Sequence, residues 1–451
     1  MTSSLARVLK GLPSRWRNRA RPLPPEALQR YLQSHLKMRD ILCESASRFG
    51  TPQYFLDETA LSGRIHRFRE AFSSRLPRSR AFYAVKSNSC PALVKCVVDS
   101  GIGLDVSGGP ELAMALDLGC RTILFSGPGK TRGELLLALR NRERVTVLMD
   151  GFGEMDGISA LLREVGGGLP PLRVGIRVRG RHHGIWNRFG IPLGDLGILW
   201  DRARAEPGLS LQGIQFHTSW NLDPGAQVRM IRQIGSHIRG AFPPARWKDL
   251  EFLDIGGGYW PEEGEWLNAG NTFPGRLMQL LDPDAAFGNR HYVRRARPLD
   301  SFARAISSAL ARQGPPLSEL EIWMEPGRWL SHPAMQLLVR VLDRKEGGMF
   351  ITDGGIHLLG WERPLSEYIP LINLTRPSVK ERPLRLFGSL CTPLDVWGTS
   401  LFGQGVQTGD VILVPDQGAY TYSLRQSFIK PAAAVVRYNG RSLEQVEEGG
   451  G

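Results

Sequence analysis

Cysteine is scarce in this chain and follows no pattern. The 451 residues include five cysteines, an odd number, and no two of them form a Cys-x-x-Cys pair. They are Cys43, Cys90, Cys96, Cys120 and Cys391. This usage argues against a disulfide framework and against a zinc cluster. We therefore predict no metal site and expect a reducing, cytoplasmic location.

The chain also lacks long apolar runs, and its acidic residues are outnumbered by basic ones. No stretch approaches the ~20 consecutive apolar residues of a membrane-spanning helix, and the basic N-terminus lacks the apolar core of a signal peptide. The formal net charge is +13, with six basic residues among the first 22. The remaining excess is spread along the chain without an aromatic-interleaved patch. We expect neither a nucleic-acid nor a membrane partner, because an anionic cofactor or substrate explains the positive field equally well.

Short apolar segments alternate with helix-length intervals over most of the chain. Counting the run that ends at Val85, the segments are Ala81–Val85, Leu104–Val106, Thr122–Phe125, Val145–Met149, Arg173–Val178, Gly213–Phe216, Phe252–Ile255 and Glu321–Met324. Eight such units predict a parallel (β/α)8 barrel rather than an open sheet. After Leu330, strand-like runs separated by Gly and Pro turns predict a mainly antiparallel β domain. The Gly-, Pro- and Trp-rich segment between Gly258 and Leu299 predicts an extended loop.

One lysine stands at the end of an apolar, β-prone run. Lys86 follows Ala81–Val85 and is followed by the small polar residues Ser87 and Asn88. Burial at a strand end favours the neutral amine, which suits Schiff-base chemistry. For an isolated lysine the better interpretation is a side chain that reaches solvent. Several further segments, however, are typical of one pyridoxal phosphate (PLP) site.

The other candidate residues also follow predicted strands or lie in Gly- and Pro-bounded loops, where barrel enzymes place functional groups. They are Asp105, His217, the triple glycine Gly256, Gly257 and Gly258, the run Glu325-Pro326-Gly327-Arg328, Cys391 and Tyr420. The glycines allow a phosphate to approach the backbone, and Glu325 could hold a protonated pyridine nitrogen. Each has an ordinary alternative: a turn, a surface ion pair, a structural histidine, a solvated aspartate, an inert thiol or a packed tyrosine.

Taken in order, these motifs resemble the fold-type III PLP-dependent decarboxylases, the ornithine/diaminopimelate/arginine decarboxylase family. The likeness runs from about Thr51 to Pro431 and implies an alanine-racemase-like barrel with a C-terminal β domain that includes the strand before the barrel. The expected organisation is a basic extension over residues 1–40, a joining strand segment over 41–60, the barrel over 61–331, the β domain over 332–445 and a disordered tail over 446–451.

The resemblance also implies a role for each matching residue. Lys86 forms the Schiff base, His217 stacks on the pyridine ring and Glu325 pairs with its nitrogen. The phosphate is held by Gly256, Gly257, Gly258, Arg328 and Tyr420, and Arg177 matches a family arginine near the cofactor. Gly327 and Asp105 are also expected in the cofactor site, where Asp105 could orient the lysine or a nearby donor. In the family, the active sites are shared in a head-to-tail homodimer. Cys391 then enters from the other subunit and protonates Cα, and Arg188 and Asp395 form an inter-subunit ion pair.

The match departs from the family pattern near the substrate and phosphate. Thr392 stands where the family carries an acidic residue after the cysteine, so neither diamine nor diaminopimelate recognition is expected in its usual form. Arg363 matches an arginine that binds a substrate carboxylate. In His217-Thr218-Ser219-Trp220, Trp220 replaces a small serine, so Trp220 either crowds the site or transfers the phosphate contact to Ser219.

These observations predict a PLP-dependent decarboxylase of an amino acid, or amino-acid derivative, that carries an additional anionic group. A PLP-dependent racemase shares the fold, but racemases typically set an arginine against the pyridine nitrogen where this chain has Glu325. A catalytically silent regulatory homologue is the alternative outside the enzymes. Retention of Lys86, Glu325, Cys391 and Tyr420 together argues against the silent homologue, although Trp220 leaves it open.

Overall fold

A computed structural model describes residues 20–166, 170–180, 187–247, 250–269, 291–360 and 367–450. The chain divides into two compact units. The first, here called the barrel unit, comprises Glu58–Tyr259 and Arg297–Ser331. The second, the β unit, comprises the described residues of Met1–Asp57, Trp260–Ala296 and His332–Gly451.

The barrel unit contains the eight parallel strands that the sequence predicts. In chain order they are Ser79–Ala84, Gly103–Val106, Ile123–Phe125, Val145–Met149, Leu172–Arg179, Leu209–Gln215, Phe252–Asp254 and Glu321–Met324. Each strand pairs in parallel with the next one in the chain, the last pairs with the first, and the sheet is therefore closed. The predicted (β/α)8 barrel is confirmed.

One helix precedes the first barrel strand, and the others follow barrel strands. They are Glu58–Ser73, Pro91–Asp99, Gly109–Asp117, Arg132–Arg140, Phe152–Val165, Leu196–Ala205, Gly225–Ala241, Pro244–Trp247, Leu299–Gln313 and Arg328–Ser331. The helix Arg132–Arg140 begins with a complete capping box, in which Thr131 and Glu134 each satisfy the backbone N–H of the other. This capping box sets where that helix begins.

Aromatic side chains fill the barrel interior. The rings of Phe252 and Trp323 stack with centroids 3.6 Å apart and planes 4° apart, and they form a buried cluster with Phe82, Leu124 and Leu148. Glycine makes room for them: a Cβ at Gly213 would lie 2.2 Å from the Phe252 ring. The barrel is thus a packed core, and its chemistry is confined to the strand ends.

The β unit is built on a nine-stranded sheet. In sheet order the strands are Met349–Thr352, Glu381–Phe387, Val396–Phe402, Ile372–Asn373, Val411–Val414, Met335–Lys345, Gln53–Asp57, Ala434–Tyr438 and Leu443–Glu447. Six of the nine pairings are antiparallel, which confirms the predicted β domain. The strand that precedes the barrel, Gln53–Asp57, is buried throughout and pairs with Met335–Leu338 in this sheet.

The chain before residue 50 is more structured than the predicted extension over residues 1–40. Two helices, Pro25–Leu36 and Arg39–Phe49, lie in the β unit. Leu32 and Leu42 are each 1% exposed and belong to the same hydrophobic cluster as Phe55. The burial of these helices in the β unit was not predicted, because only one face of each helix is apolar.

Two other segments also differ from their predictions. The strands Glu265–Asn268 and His291–Arg294 lie within the segment predicted as a loop and pair antiparallel. The strand Arg21–Pro22, near the N-terminus, pairs with His291–Arg294 as a third strand. Residues 446 and 447, assigned to a disordered tail, lie in the strand Leu443–Glu447. Among the described residues, no helix is both long enough and apolar enough to cross a bilayer. All five cysteines are free.

Candidate active site

Lys86 lies immediately beyond the first barrel strand. The strand ends at Ala84, and Lys86 sits in a short 3-10 turn over Val85–Ser87. Its Nζ is 3.4 Å from Oδ2 of Asp105, and 37% of its side chain is exposed. The lysine is thus paired with a buried carboxyl, and it is less completely buried than the apolar run before it suggests.

Asp105 is the buried partner of this lysine. It lies in the neighbouring strand Gly103–Val106 and is 0% exposed. The Ser126 hydroxyl donates a hydrogen bond to Oδ1 of Asp105. Burial, opposed by Lys86 and by the Ser126 hydroxyl, raises the pKa of Asp105 to about 7. Near neutral pH, Asp105 can therefore accept or return a proton beside the lysine.

Glu325 follows the last barrel strand and is held by two side chains from a neighbouring part of the barrel. Nε2 of Gln215 donates to Oε1 over 3.0 Å, and Nδ1 of His217 lies 3.0 Å from Oε2. Burial alone would raise the pKa of Glu325. The His217 hydrogen bond and the positive charges of the site outweigh burial and lower that pKa below its usual range. Glu325 is therefore a buried, ionised carboxylate.

His217 lies just past the strand Leu209–Gln215, as predicted. Burial lowers the pKa of His217, against the opposing effect of Glu325. The backbone N–H of Gly257 also points at Nδ1, at 3.4 Å. Stacking of the imidazole on a pyridine ring remains a prediction, but the contact with Glu325 places the histidine within the same cluster.

The triple glycine is packed against these residues. Gly256 and Gly258 have φ values of +66° and +77°, which side chains rarely adopt. A Cβ at Gly257 would lie 2.0 Å from the Glu325 carbonyl oxygen, and one at Gly258 would lie 2.9 Å from Cα of Ser219. The glycines are thus required for close approach of the backbone to Glu325 and Ser219.

Trp220 is largely open to solvent. Its side chain is 55% exposed, and its φ is +53°. The next residue, Asn221, fixes the local backbone: its N–H donates to the Gly258 carbonyl over 2.9 Å and its Nδ2 donates to the Gly257 carbonyl over 2.9 Å. The transfer of the phosphate contact from Trp220 to Ser219 stays a prediction.

The Glu325-Pro326-Gly327-Arg328 run adjoins the lysine turn. The Ala84 N–H donates to the Pro326 carbonyl over 3.1 Å, and a Cβ at Gly327 would lie 2.9 Å from Cβ of Ser87. Arg328 begins the short helix Arg328–Ser331. The run thus joins the Glu325 and Lys86 parts of the site into one surface.

Arg177 connects to the same network from the fifth barrel strand. Its Nη1 donates to the Ser126 carbonyl over 3.3 Å and lies 3.7 Å from Oδ1 of Asp150. The side chain is 11% exposed. Since Ser126 also bonds Asp105, the arginine and the lysine–aspartate pair share one supporting residue.

Three residues of this cluster were not predicted from the sequence. Gln215 and Asp254 are fully buried, and Ser126 is 3% exposed. Oδ1 of Asp254 accepts the Gly256 N–H over 2.8 Å. Burial and the nearby Glu325 charge raise the pKa of Asp254 well above its usual range. A polar residue inside an apolar strand segment was the available signal for Gln215 and Asp254, since such residues are rarely buried without a role.

In the β unit, Cys391 lies in the exposed part of a loop that Asp395 supports. Oδ1 of Asp395 accepts the Ile356 N–H over 2.8 Å, and Oδ2 accepts the Leu390 N–H over 2.7 Å. The Thr392 hydroxyl accepts the Leu394 N–H over 3.4 Å. The cysteine is exposed, contrary to the alternative of inert burial. Asp395 is only 2% exposed, so little of its carboxylate is accessible to Arg188 of a second copy.

The remaining predicted residues have simpler outcomes. Tyr420 is half-buried and has a φ of +56°. Arg188 is exposed, with its guanidinium carbon 4.7 Å from the centre of the Phe189 ring. Arg363 lies outside the described residues. The ion pair between Arg188 and Asp395 of two copies stays a prediction.

The donor set of the barrel unit fits PLP. An ionised carboxylate, Glu325, suits a protonated ring nitrogen, and the Lys86 amine suits an aldehyde. Glycines allow a phosphate to approach the backbone closely, because they carry no side chain. Positive charge from Arg177 and Arg328 matches the anionic character of the cofactor.

Comparison with known proteins agrees with this chemistry. The family described as "Pyridoxal-dependent decarboxylase, pyridoxal binding domain" matches residues 62–332. A diaminopimelate decarboxylase from Actinosynnema pretiosum subsp. auranticum is 29% identical over 408 residues, covering 85% of this chain and 83% of that relative. Protein TabA from Pseudomonas amygdali pv. tabaci is 26% identical over 420 residues, covering 90% of each chain.

Solved structures share the fold. A diaminopimelate decarboxylase (I148L mutant) from Helicobacter pylori, complexed with L-lysine, gives a TM-score of 0.72 at 23% identity and covers 90% of this chain and 96% of its own. A lysine/ornithine decarboxylase from Vibrio vulnificus, complexed with putrescine, gives a TM-score of 0.69 at 20% identity, with 89% and 98% covered. Because the family match spans more than half of the 451 residues, the chain belongs to the pyridoxal-dependent decarboxylases and is a PLP-dependent amino-acid carboxy-lyase.

Proposed function

We propose that this enzyme removes the α-carboxylate of an amino acid, or amino-acid derivative, that carries an additional anionic group. The observation that carries the proposal is the buried, ionised Glu325, bonded by Gln215 and His217 at the barrel end that also holds Lys86. A negative charge in that position keeps a ring nitrogen protonated, as decarboxylation requires. An arginine there, as in a racemase, would have the opposite effect.

The residues proposed to hold the cofactor are those that the family resemblance implies. When bound, PLP supplies an aldehyde that condenses with amines and an electron sink for the pair released with carbon dioxide. Lys86 provides the amine that attaches the cofactor, and Glu325 pairs with its ring nitrogen. The backbone of Gly256–Gly258, with Ser219, Arg328 and Tyr420, binds the phosphate. Gly327 keeps the Arg328 turn close to the lysine.

Asp105 exchanges a proton with the Lys86 amine. A pKa near 7 means that the carboxyl is about half ionised at neutral pH. At 3.4 Å from Nζ, Asp105 can take a proton from the Lys86 ammonium, so that the neutral amine can condense with an aldehyde. It can return that proton when the lysine is released from the cofactor. The Ser126 hydroxyl orients Asp105 by binding its other oxygen.

Cys391 is the proposed proton donor to Cα after carbon dioxide has left. Its loop is fixed by the two hydrogen bonds that Asp395 accepts, whereas the cysteine itself is exposed. An exposed thiol on a fixed loop is suited to enter the active site of a second copy, and we therefore include a homodimer with shared sites in the proposal. Asp395 then acts mainly within its own loop.

The substrate proposal rests on what surrounds that cysteine. Thr392 follows it where the resemblance implies an acidic residue for a distal ammonium, and the Thr392 hydroxyl bonds within the loop. Arg363 supplies a positive charge for a carboxylate. Several relatives are named diaminopimelate decarboxylase, and diaminopimelate also has a second carboxylate. The proposal covers both free amino acids and their acylated derivatives.

The test is carbon dioxide release from a panel of amino acids, diamino acids and their acylated derivatives, with purified protein and added PLP. We expect release from a member with a second anionic group, and none from Lys86→Ala. The Lys86→Ala variant should also lose the visible absorbance of the lysine-bound cofactor and its bleaching by borohydride. Lys95→Ala is the matched control, because Lys95 is an exposed lysine paired with Asp99.

The outcomes separate the alternatives. Exchange of the Cα hydrogen in deuterium oxide with the carboxylate retained would identify a racemase instead. Full turnover in Lys86→Ala would refute the lysine assignment. Wild-type product formation in Cys391→Ala would remove the thiol from the mechanism while leaving the rest in place.

A further inference from the structure

The loop that ends at Tyr420 has an unusual backbone. It follows the strand Val411–Val414 and contains two non-glycine residues at positive φ, Asp416 at +55° and Tyr420 at +56°. Such conformations cost of order 1–3 kcal/mol each and persist only where the surroundings impose them. The structure must therefore hold this loop in place.

Backbone hydrogen bonds hold one side of the loop. The Asp416 N–H donates to Oε1 of Gln336 over 2.8 Å. The next two N–H groups, of Gln417 and Gly418, donate to the carbonyls of Met335 and His332 over 2.6 and 3.0 Å. These contacts fix the loop against the start of the strand Met335–Lys345, but they leave the Asp416 side chain for another partner.

That partner is the N-terminal helix Pro25–Leu36. The Tyr31 hydroxyl donates to Oδ2 of Asp416 over 2.7 Å, and Nε2 of His35 lies 3.3 Å from Oδ1. Nε2 of His332 approaches Oδ2 at 3.9 Å. The side chains of His35 and Asp416 are 11% and 10% exposed. One buried carboxylate thus ties two turns of the helix to the loop.

The hydrogen-bond pattern favours a charged histidine. Nδ1 of His35 lies 3.0 Å from the Tyr31 carbonyl, which can only accept. If Nδ1 carries the proton, Nε2 can donate to Asp416 only when the ring is doubly protonated. Burial lowers the pKa of His35, but Asp416, the Tyr31 carbonyl and the more distant Glu263 outweigh burial and raise it. The ion pair correspondingly lowers the pKa of Asp416, with His332 also contributing.

The helix is itself firmly placed within the β unit. Leu32 is 1% exposed in the hydrophobic cluster, and the Tyr31 ring packs 4.6 Å from the Trp266 ring, centre to centre. The Asp416 contact is therefore made from a rigid element. Because the helix is already ordered, the free energy of the Asp416 contact stabilises the strained loop and is not offset by ordering the helix.

We propose that Tyr31 and His35 are positioning residues that hold the Asp416–Tyr420 loop in the conformation in which the Tyr420 hydroxyl binds the cofactor phosphate. This inference rests on the phosphate role of Tyr420 under the proposed function. It gives the segment before the first sheet strand a part in cofactor binding, although neither residue touches the cofactor.

The experiment measures binding of PLP and of pyridoxal to the full-length apoprotein, by quenching of tryptophan fluorescence. The dissociation constant of pyridoxal divided by that of PLP reports contacts to the phosphate alone. We expect Tyr420→Phe to reduce that ratio about tenfold, which corresponds to one lost hydrogen bond. Tyr31→Phe and His35→Gln should each reduce it about three- to tenfold. Tyr31→Phe deletes one hydroxyl and keeps the ring, so it tests the idea even if His35→Gln folds poorly.

The matched control is His291→Gln. His291 forms a comparable pair with Glu381 in the same unit, at 2.9 Å and with side chains 12% and 18% exposed, but it is not in the loop. Its ratio should stay at the wild-type value. In a Tyr420→Phe background, His35→Gln should add less than about a twofold change, because its effect acts through that hydroxyl.

Two results would overturn the inference in different ways. If Tyr420→Phe lowers the ratio and Tyr31→Phe and His35→Gln do not, the positioning role is wrong and the proposed function stands. If Tyr420→Phe itself leaves the ratio unchanged, the phosphate role of Tyr420 is wrong and the inference falls with it. If the effects of Tyr420→Phe and His35→Gln on the ratio are additive in the double variant, His35 does not act through the Tyr420 hydroxyl.

Discussion

Replacing Glu325 by Gln removes the one ionised carboxylate that Gln215 and His217 both bond. The variant keeps the size of the side chain and one acceptor oxygen, so the packing of the triple glycine against the Glu325 backbone is retained. What is lost is a charge-assisted hydrogen bond to the cofactor ring, worth about 1.5–3 kcal/mol. Since about 1.4 kcal/mol is tenfold in rate, we expect kcat for decarboxylation to fall about ten- to 150-fold.

A second signature of Glu325→Gln is a shift in pH dependence. The Glu325 charge contributes to the raised pKa of Asp105 and of Asp254. Removing a negative neighbour makes a carboxyl easier to ionise, so both pKa values should decrease. The acidic limb of the kcat/KM profile, which we assign to Asp105 near pH 7, should therefore move to lower pH in the variant.

The assay is initial-rate carbon dioxide release across pH, with cofactor occupancy measured by absorbance in the same samples. Glu321→Gln is the matched control, because Glu321 begins the same strand, pairs with Arg80 at 3.1 Å and has a side chain 28% exposed. The control should keep wild-type kcat and its pH limb. A Glu325→Gln enzyme with full cofactor occupancy and kcat within about twofold of wild type would refute the reasoning.

Three further predictions concern supporting contacts. Ser126→Ala removes a hydroxyl that favours ionised Asp105, so the pKa of that carboxyl should increase and the acidic limb of kcat/KM should move to higher pH; an unchanged limb would contradict this. Asp395→Asn leaves one acceptor oxygen for two backbone N–H groups, so the cysteine loop should lose about 1–3 kcal/mol of local stability, seen as faster hydrogen exchange; wild-type protection would show that the carboxylate is not its support. For His35 the pKa is raised, so its contribution to the free energy of unfolding is complete below about pH 6.5 and is lost as pH increases through the folded-state value; for Asp416 the pKa is lowered, so its contribution is lost as pH decreases below about 3.8. Above pH 6.5, the free energy of unfolding by urea should decrease less with pH in His35→Gln than in the wild type. If the two plots of free energy against pH are parallel, the ion pair is not the cause.

The parts of the site that could be predicted are those that end strands. Lys86, Asp105, His217 and Glu325 each follow or close an apolar run, and a closed parallel barrel brings all such ends to one side. Strand identity was therefore enough to bring together residues 239 positions apart in the chain, Lys86 and Glu325. No knowledge of side-chain contacts was needed for that step.

The hydrogen-bond partners of those residues could not be predicted in the same way. Gln215 bonds Glu325 and Ser126 bonds Asp105, and each pair depends on barrel geometry that positions in the chain do not define. The burial of the N-terminal helix in the β unit was not predicted, for a different reason. Its buried face contains few residues, such as Leu32, within a segment whose positive charge dominates the composition.

The site contains a second carboxyl that explains where its negative charge resides. Asp254 and Glu325 are both buried and interact directly, and two such groups cannot both ionise without a large cost. Glu325 receives the Gln215 amide and the His217 ring, whereas Asp254 receives the Gly256 N–H. The proton therefore belongs on Asp254 and the charge on Glu325. Gln215 and His217, two residues from a single strand end, thereby determine which of the two carboxyls carries the charge on which decarboxylation depends.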